Sequence, residues 1–406
     1  MPAIALTTNI SVGLIEVMLL LAAIGYAPAL WRQRRQEPLL LAQTRPILLA
    51  FLFNLIVAAI SLVSTGIDPP YFENPSKMLL ATLATGMVLL LRPSGQVIWP
   101  GLWVGAIGAM LFAIYQRFGL MLPRAEGFSM PITFGDLAMA MGLMSLAGIR
   151  QVAKTRWAAL PYLAFLAGVV ASILSASRGG WLALLLSFIP LYVYGRDYVG
   201  RRVLAIVAAS LIVVGGVSAL PETGVRERLN EITTQMAQYE GGNSNTSVGA
   251  RIEMWKGAWT MFVEHPVSGV GRANFNRGLN QLIGRGAIDP AMGIFRHAHN
   301  EMLNALATEG LPGGLALLAL YFAPLVFFGR QLRQAGSQRS HALAGIMLVL
   351  AFIAFGMTQV MFVHHVGSAF YALTVCVLAG LCLQEQRRMR DAPEAMADSP
   401  AAVWSG

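Results

Sequence analysis

HAHNEMLNALATEGLPGGLALLALYFAPLVFF, residues 297–328, decides the fold. It opens with His297, His299, Asn300 and Glu301, and from Met302 onward it is almost wholly apolar. A helix needs about 20 apolar residues to cross the roughly 30 Å hydrocarbon layer of a bilayer, so residues 302–328 read as a membrane span. Two imidazoles therefore stand where water meets lipid. Histidine exchanges a proton near neutral pH, which makes this boundary the place to look for chemistry.

The same reading extends outward. Apolar runs near 11–31, 46–65, 76–91, 97–116, 131–149, 157–176, 180–195, 202–220, 341–362 and 367–384 join 302–328, giving eleven spans. Of the 406 residues, 56% are hydrophobic and 12% charged, and mean hydropathy is +0.61. A soluble domain could not cover that much apolar surface. The expected fold is an all-α polytopic membrane protein.

Short loops alternate between Arg-rich (Arg32, Arg34 and Arg35; Arg150, Lys154 and Arg156; Arg196, Arg201 and Arg202; Arg330, Arg333 and Arg339; Arg387, Arg388 and Arg390) and Arg-poor. The positive-inside rule makes the Arg-rich set cytoplasmic. Loops 66–76, 117–130 and 177–179 and the long segment 221–300 then share the opposite face, with the C-terminus inside. Eleven spans put the N-terminus outside, and a twelfth would put it inside. The net charge of +9 follows from this bias and from contact with anionic membrane lipid, and it implies no nucleic-acid partner. The N-terminus lacks the basic region of a cleavable signal peptide. Cys376 and Cys382, six apart in the last apolar run, read as small core residues.

The expected organisation is an N-terminal transmembrane bundle over 1–220, a large outer loop over 221–300 capping the site, three further spans over 301–390 and a disordered tail over 391–406. Within the loop, Val225, Leu229, Ile232, Met236 and Tyr239 recur at helical intervals, as do Ile252, Trp255, Trp259 and Phe262. Gly241–Ser247 separates the two helices, and His265-Pro266 should end the second. The tryptophan stripe suits either the membrane interface or packing against the protein.

Four cations from separated outer loops could together face a diphosphate. Arg178, in Ser177-Arg-Gly-Gly-Trp181, has glycines that let a ligand approach and a planar fork matched to phosphate oxygens. Arg124, Lys77 and Arg251 join it, each with a competing role at the headgroups or in a local ion pair. His297 and His299 cannot share a helical face at i, i+2 spacing. No Asp-x-Asp and no outer carboxylate cluster supplies metal ligands, so no metal and no cofactor is expected. As a general base for a hydroxyl nucleophile, His299 is favoured, since Asn300 and Glu301 could orient it. Which histidine carries the proton stays open. His364 and His365 read as interfacial residues.

Together these residues resemble the O-antigen ligase family of Gram-negative bacteria, whose signatures are Arg-x-x-x-Leu and His-Asn/Ser/Gln-x9-Gly-x-x-Gly/Thr/Tyr. Arg178-Gly-Gly-Trp-Leu182 fits the first. His299-Asn300, nine residues and Gly310-Leu-Pro-Gly313 fit the second. The stretch from Arg251 through Trp255, Pro266, Gly269 and Gly271 resembles the shared loop of the wider ligase/polymerase superfamily. The resemblance implies a GT-C-like bundle of 11–12 transmembrane helices with one large periplasmic loop containing amphipathic helices. It implies a glycosyltransferase of the bacterial inner membrane, inverting and metal-independent. That enzyme would move O-antigen polysaccharide from undecaprenyl diphosphate to a lipid A-core hydroxyl at the periplasmic face, in lipopolysaccharide biosynthesis. His299, Arg178 and Arg251 would then be catalytic. Arg124, Lys77, His297, Asn300 and Trp255 would bind substrate.

Within the superfamily an O-antigen polymerase is the nearest alternative, and Arg124 and Gly135 have a spacing seen in polymerase loops. Polymerases tend to have two large outer loops, and this chain shows one. A protein O-oligosaccharyltransferase commonly ends in a long outer domain, which is not expected here. A transporter would show paired halves and ionisable residues buried mid-span. Glu16, Asp136 and Glu309 are the few acids near spans, and no inverted repeat is visible.

Overall fold

The computed structural model describes residues 4–8, 11–65, 69–177, 179–195, 205, 208, 225–241, 243–334 and 336–397. These are helical throughout, with no strand among the described residues. In chain order the helices are α1 (Ser11–Gly25), α2 (Ala27–Gln36), α3 (Pro38–Ala42), α4 (Arg45–Thr65), α5 (Pro69–Ala81), α6 (Leu83–Leu91), α7 (Ile98–Ile114), α8 (Pro131–Ala147), α9 (Ile149–Val152), α10 (Leu160–Leu174) and α11 (Gly179–Gly195). After the undescribed stretch come α12 (Val225–Glu240), α13 (Ser247–Glu264), α14 (Phe275–Gly284), α15 (Glu301–Arg333), α16 (Gln338–Gly356) and α17 (His365–Ala397).

Six stretches are long and apolar enough to cross a membrane: Arg45–Val63, Tyr71–Leu91, Ile98–Gly119, Glu301–Arg333, Gln338–Gly356 and His365–Asp391. α1 and α2 form a further apolar pair bent by 71°, and α8, α10 and α11 are shorter apolar helices. Ten of the eleven expected runs thus coincide with apolar helices, and the run near 202–220, apart from Ala205 and Ala208, lies outside the described residues. The protein is a polytopic helical membrane protein. The last helix extends to Ala397, past Arg390, where a disordered tail was expected to begin. The bend at Tyr26 coincides with a proline in the first turn of α2, where a missing N–H costs nothing to that helix but breaks continuity with the one before.

The centre of the bundle is α8, buried from Thr133 to Ala147 and packed by α7, α10, α11 and α16. A helix that is apolar on all sides belongs in such a place. Its contact with α10 is made backbone to backbone: a Cβ on Gly168 would fall 2.6 Å from the Ala138 carbonyl oxygen. Small residues are what permit helices to approach so closely in a membrane.

Residues 225–300 build a second, smaller core from Met254, Ala258, Met261, Phe275, Leu279 and Leu282. Thr246 caps α13 by accepting from Gly249 N at 3.0 Å, and the helix stops at His265, before Pro266, as its sequence requires. The packed face of α13 is Glu253, Met254, Gly257, Ala258 and Met261. The aromatic stripe is offset from it, with Trp259 53% exposed, which is the placement an interfacial helix would use. Glu253 fastens the unit by accepting from Tyr239 OH at 2.8 Å and from Asp289 N at 3.1 Å. α13 packs on α15, which joins this unit to the bundle.

Candidate functional site

The site begins where α15 begins. Asn300 caps the helix, its Oδ1 accepting from Leu303 N at 3.0 Å, so its side chain serves the helix end rather than orienting His299. Just before it, His299 takes φ of 50°, a left-handed conformation that a non-glycine residue adopts at a cost of roughly 1–3 kcal/mol. Because 297–300 is not helical, the i, i+2 spacing is no obstacle. The His297 and His299 rings meet edge to face, 4.3 Å between centroids.

A third imidazole joins them. His364, which reads as interfacial in the sequence, lies 6.0 Å from His297 between ring centroids. Glu301 explains how it gets there. One carboxylate oxygen accepts from the backbone N–H groups of both Met361 and Phe362, pinning the α16–α17 connection against the start of α15. That connection also carries Gln359, whose side chain hydrogen-bonds His299.

Burial, then the neighbouring His299 and His364, push the His297 pKa down to about 3. Burial and then the Arg251 cation push His299 down to about 4, with the Gln359 hydrogen bond opposing them. Burial lowers His364 as well. All three imidazoles are therefore neutral at pH 7. His297 Nδ1, His299 Nδ1 and His364 Nε2 are buried with no hydrogen-bond partner. Buried polar atoms are nearly always paired, so three unpaired nitrogens in one place mark a site shaped for something polar.

Arg251 stands in the first turns of α13, close enough for its charge to bear on His299. Trp255, one turn on, is half-buried and its indole N–H has no partner. Arg178 lies outside the described residues, but its neighbours do not. Ser177 Oγ donates to the Asp136 carboxylate. A Cβ on Gly179 would fall 2.9 Å from Asp136 Oδ1 and 2.9 Å from Thr358 Oγ1. This turn thus packs between central helix α8 and the connection that carries Gln359 and His364.

The other two expected cations are placed differently. Arg124 donates from Nε to Ser175 O at 2.8 Å and from Nη2 to Ala176 O at 3.3 Å, tying its loop to the end of α10. Lys77 Nζ lies 3.2 Å from Glu16 and also pairs with Glu73. Its charge is balanced within α1 and α5 rather than offered to an anion.

Residues missed in the sequence complete the picture. Arg272 and Glu309 form an ion pair at 3.1 Å with side chains 11% and 8% exposed, and Arg272 N donates to Ser61 Oγ on α4. With Arg296, His297, Glu301 and Asn304 they line a small polar pocket. The position of Arg272 directly after Gly269-x-Gly271 was the available signal.

The two glycine patterns interlock. At Gly310 φ is 64° and ψ −156°, a break inside α15. Into it fits the 266–271 turn, with Leu311 N donating to Pro266 O at 2.7 Å, and Val270 N and Gly271 N donating to Ala307 O and Thr308 O at 2.9 Å. A Cβ on Gly310 would lie 2.5 Å from Val267 O, and one on Gly269 2.3 Å from the Thr308 carbonyl carbon. These glycines form a backbone clamp between α13 and α15. Among the described residues no group of three or more His, Cys, Asp or Glu is arranged to hold a metal ion.

The fold and site define a polytopic membrane protein with a cluster of histidines where the small core of residues 225–300 meets the helical bundle. Residues 163–318 match the model of a family described as O-antigen ligase. That match spans less than half of the chain and marks a similarity to ligase/polymerase-type membrane proteins. It is 23% identical over 339 residues to an uncharacterised protein of Haemophilus influenzae, covering 81% of this chain and 84% of that one. It is 27% identical over 141 residues to an O-antigen ligase of Escherichia coli, covering 34% of this chain and 31% of that protein.

Proposed function

We propose that the protein is an O-antigen ligase of the inner membrane, with 221–300 capping a site on the periplasmic face. It would transfer O-antigen polysaccharide from undecaprenyl diphosphate to a hydroxyl of lipid A-core. The observation that carries this reading is His299, a neutral imidazole with an unpaired Nδ1, set beside the Arg251 cation at the mouth of the bundle.

His299 takes the proton of the acceptor hydroxyl as its oxygen attacks the anomeric carbon. The bond from that carbon to the diphosphate breaks on the opposite face, which inverts the centre. Undecaprenyl diphosphate leaves with its charge stabilised by Arg251 and Arg178, cations supplying what a metal supplies elsewhere. Donor binding also strengthens the base. A diphosphate beside Arg251 offsets the cation that holds His299 down, so its proton affinity rises when there is something to react with. His297 and His364 remain neutral neighbours that keep a second positive charge away from the base.

The Arg-rich ends of the helices, at Arg34, Arg150, Arg330 and Arg387, support the periplasmic placement by the positive-inside rule. The test combines purified protein, undecaprenyl-diphosphate-linked O-antigen and lipid A-core in EDTA, read as a gel shift of the lipopolysaccharide. Transfer by the wild type and none by His299→Ala is the expected result. Longer chains on the lipid carrier without transfer to lipid A-core would make it a polymerase.

A further inference from the structure

The described residues hold a second site, at the other end of the bundle from the histidines. Ser61 of α4 touches Arg272 beside the histidine site, and Arg45 begins the same helix. Sixteen residues at 1.5 Å each separate them by about 24 Å. Around Arg45 the 71° bend between α1 and α2 leaves a groove of about 560 Å³ that α3, α4, α6 and Cys376 of α17 close from behind. Such a volume falls within the about 300–1,000 Å³ of ordinary ligand sites.

The groove has two chemically distinct parts. Its trough is apolar, walled by Leu20 and Ile24 of α1, Leu48 of α4 and Leu83 and Gly86 of α6. Its rim carries Arg34, Arg45 and Gln33. Gln33 is only 6% exposed, and its Nε2 is buried without a hydrogen-bond partner. A buried amide lacking an acceptor costs free energy, and a ligand oxygen here would remove that cost. Glu37, the carboxylate on the adjoining turn, is engaged by Arg387 at 2.9 Å. Among the described residues no carboxylate pairs with Arg34 or Arg45, so the rim presents two uncompensated positive charges. α2 itself has the pattern of a helix lying along the membrane surface, with Arg32, Arg34 and Arg35 beside Trp31.

We propose that this groove binds one glycerophospholipid with an anionic headgroup, an acyl chain lying in the trough and the phosphate held by Arg34, Arg45 and the Gln33 amide. The depth fits. Arginines that bind phosphate belong at the headgroup level, and the trough runs from there into the hydrocarbon layer. Basic pockets between transmembrane helices on the Arg-rich side of a membrane favour anionic lipid in this manner. This site is independent of the ligase reading, and none of its residues takes part in the proposed transfer.

The experiment is native mass spectrometry of the full chain released from nanodiscs of equal phosphatidylglycerol and phosphatidylcholine. The wild type should retain one phosphatidylglycerol, preferred over phosphatidylcholine by about tenfold or more, as two phosphate-facing arginines imply. Arg34→Ala with Arg45→Ala should remove that preference, and Arg34→Lys with Arg45→Lys should keep most of it. Ala27→Trp, which fills the groove while leaving both arginines, should abolish retention of either lipid. Equal retention of the two lipids by the wild type, or undiminished phosphatidylglycerol on the double alanine variant or on Ala27→Trp, would overturn the proposal. Displacement of the retained lipid by one equivalent of undecaprenyl phosphate would overturn it too, by giving the groove to a polyprenyl phosphate.

Discussion

Gly310→Ala should separate the architecture of the histidine motif from its chemistry. At φ of 64° and ψ of −156°, Gly310 occupies a backbone region that is essentially closed to other residues, and an alanine there stores on the order of 1–3 kcal/mol. The new Cβ would lie 2.5 Å from Val267 O and 2.7 Å from Pro266 O. Reaching ordinary contact requires the 266–271 turn to retreat by about 0.9 Å, judged against the usual carbon–oxygen separation. A retreat of that size carries Pro266 O out of reach of Leu311 N and loosens the bonds from Val270 N and Gly271 N. Three backbone hydrogen bonds at about 0.5–1.5 kcal/mol net each bring the expected local loss to roughly 2.5–7.5 kcal/mol. Hydrogen exchange read by mass spectrometry should show peptides spanning 266–271 and 303–311 losing protection, and ligation should fall with it. Gly284→Ala, where the added Cβ meets nothing within 4 Å, is the control and should change neither. Wild-type exchange and wild-type ligation in Gly310→Ala would refute the clamp.

Arg178→Ala should abolish ligation while the protein keeps its detergent-solubilised melting temperature, and retained ligation would remove that residue from the mechanism. The pH profile should show His299 working far below the usual histidine range. A base acts unprotonated, so with a pKa of about 4 before the donor binds, kcat/KM for transfer should stay flat from neutral pH downward and fall only as pH drops toward that value. Arg251→Gln removes a cation that lowers this pKa, so the acid limb should move to higher pH; an unmoved limb would detach Arg251 from His299. Lys77→Ala should lower the melting temperature, because it strips the buried Glu16 of its partner, yet leave ligation per folded molecule within about twofold. A loss of ligation without a loss of stability would return Lys77 to the donor site.

Most of the fold was legible because hydrophobicity in a membrane is a one-dimensional signal. Every expected span among the described residues coincides with an apolar helix, and the caps at Thr246, His265 and Asn300 fall where side-chain chemistry puts them. Three features were not legible. The bend at Tyr26 falls at the proline in the first turn of α2, but it lies inside an apolar run that hydropathy alone reads as one straight span. His364 was read from its own neighbourhood, a short turn before an apolar helix, whereas its role comes from Glu301, which pins that turn sixty residues away in sequence. Lys77 and Arg124 were read as cations for a diphosphate or for lipid headgroups because Glu16, Ser175 and Ala176, which engage them, lie far away in sequence. Sequence shows which side chains are charged. Only packing shows which charges are already satisfied.

The nine residues between Asn300 and Gly310 act as a ruler. Arg251 sits beside His299 at one end of α13, and Pro266 grips Leu311 at the other. The base and its cation are thus held by two helical segments fastened at the clamp. Glu301 to Gly310 is nine steps, about 14 Å of helix, and each step turns the chain by about 100° about the axis. Inserting one alanine after Ala305 would therefore rotate His299 by about 100° and advance it about 1.5 Å relative to Arg251 while leaving every side chain of the site present. A conservative substitution at a half-buried spacer position, such as Met302→Leu, should be tolerated, since it alters no distance. The insertion should abolish ligation and move the His299 resonance, followed by nuclear magnetic resonance of labelled imidazoles, toward the ordinary histidine pKa as Arg251 and the burying walls fall away. An insertion variant that ligates at wild-type rate would mean that the spacing has no mechanical role, and that the clamp and the base only happen to share a helix.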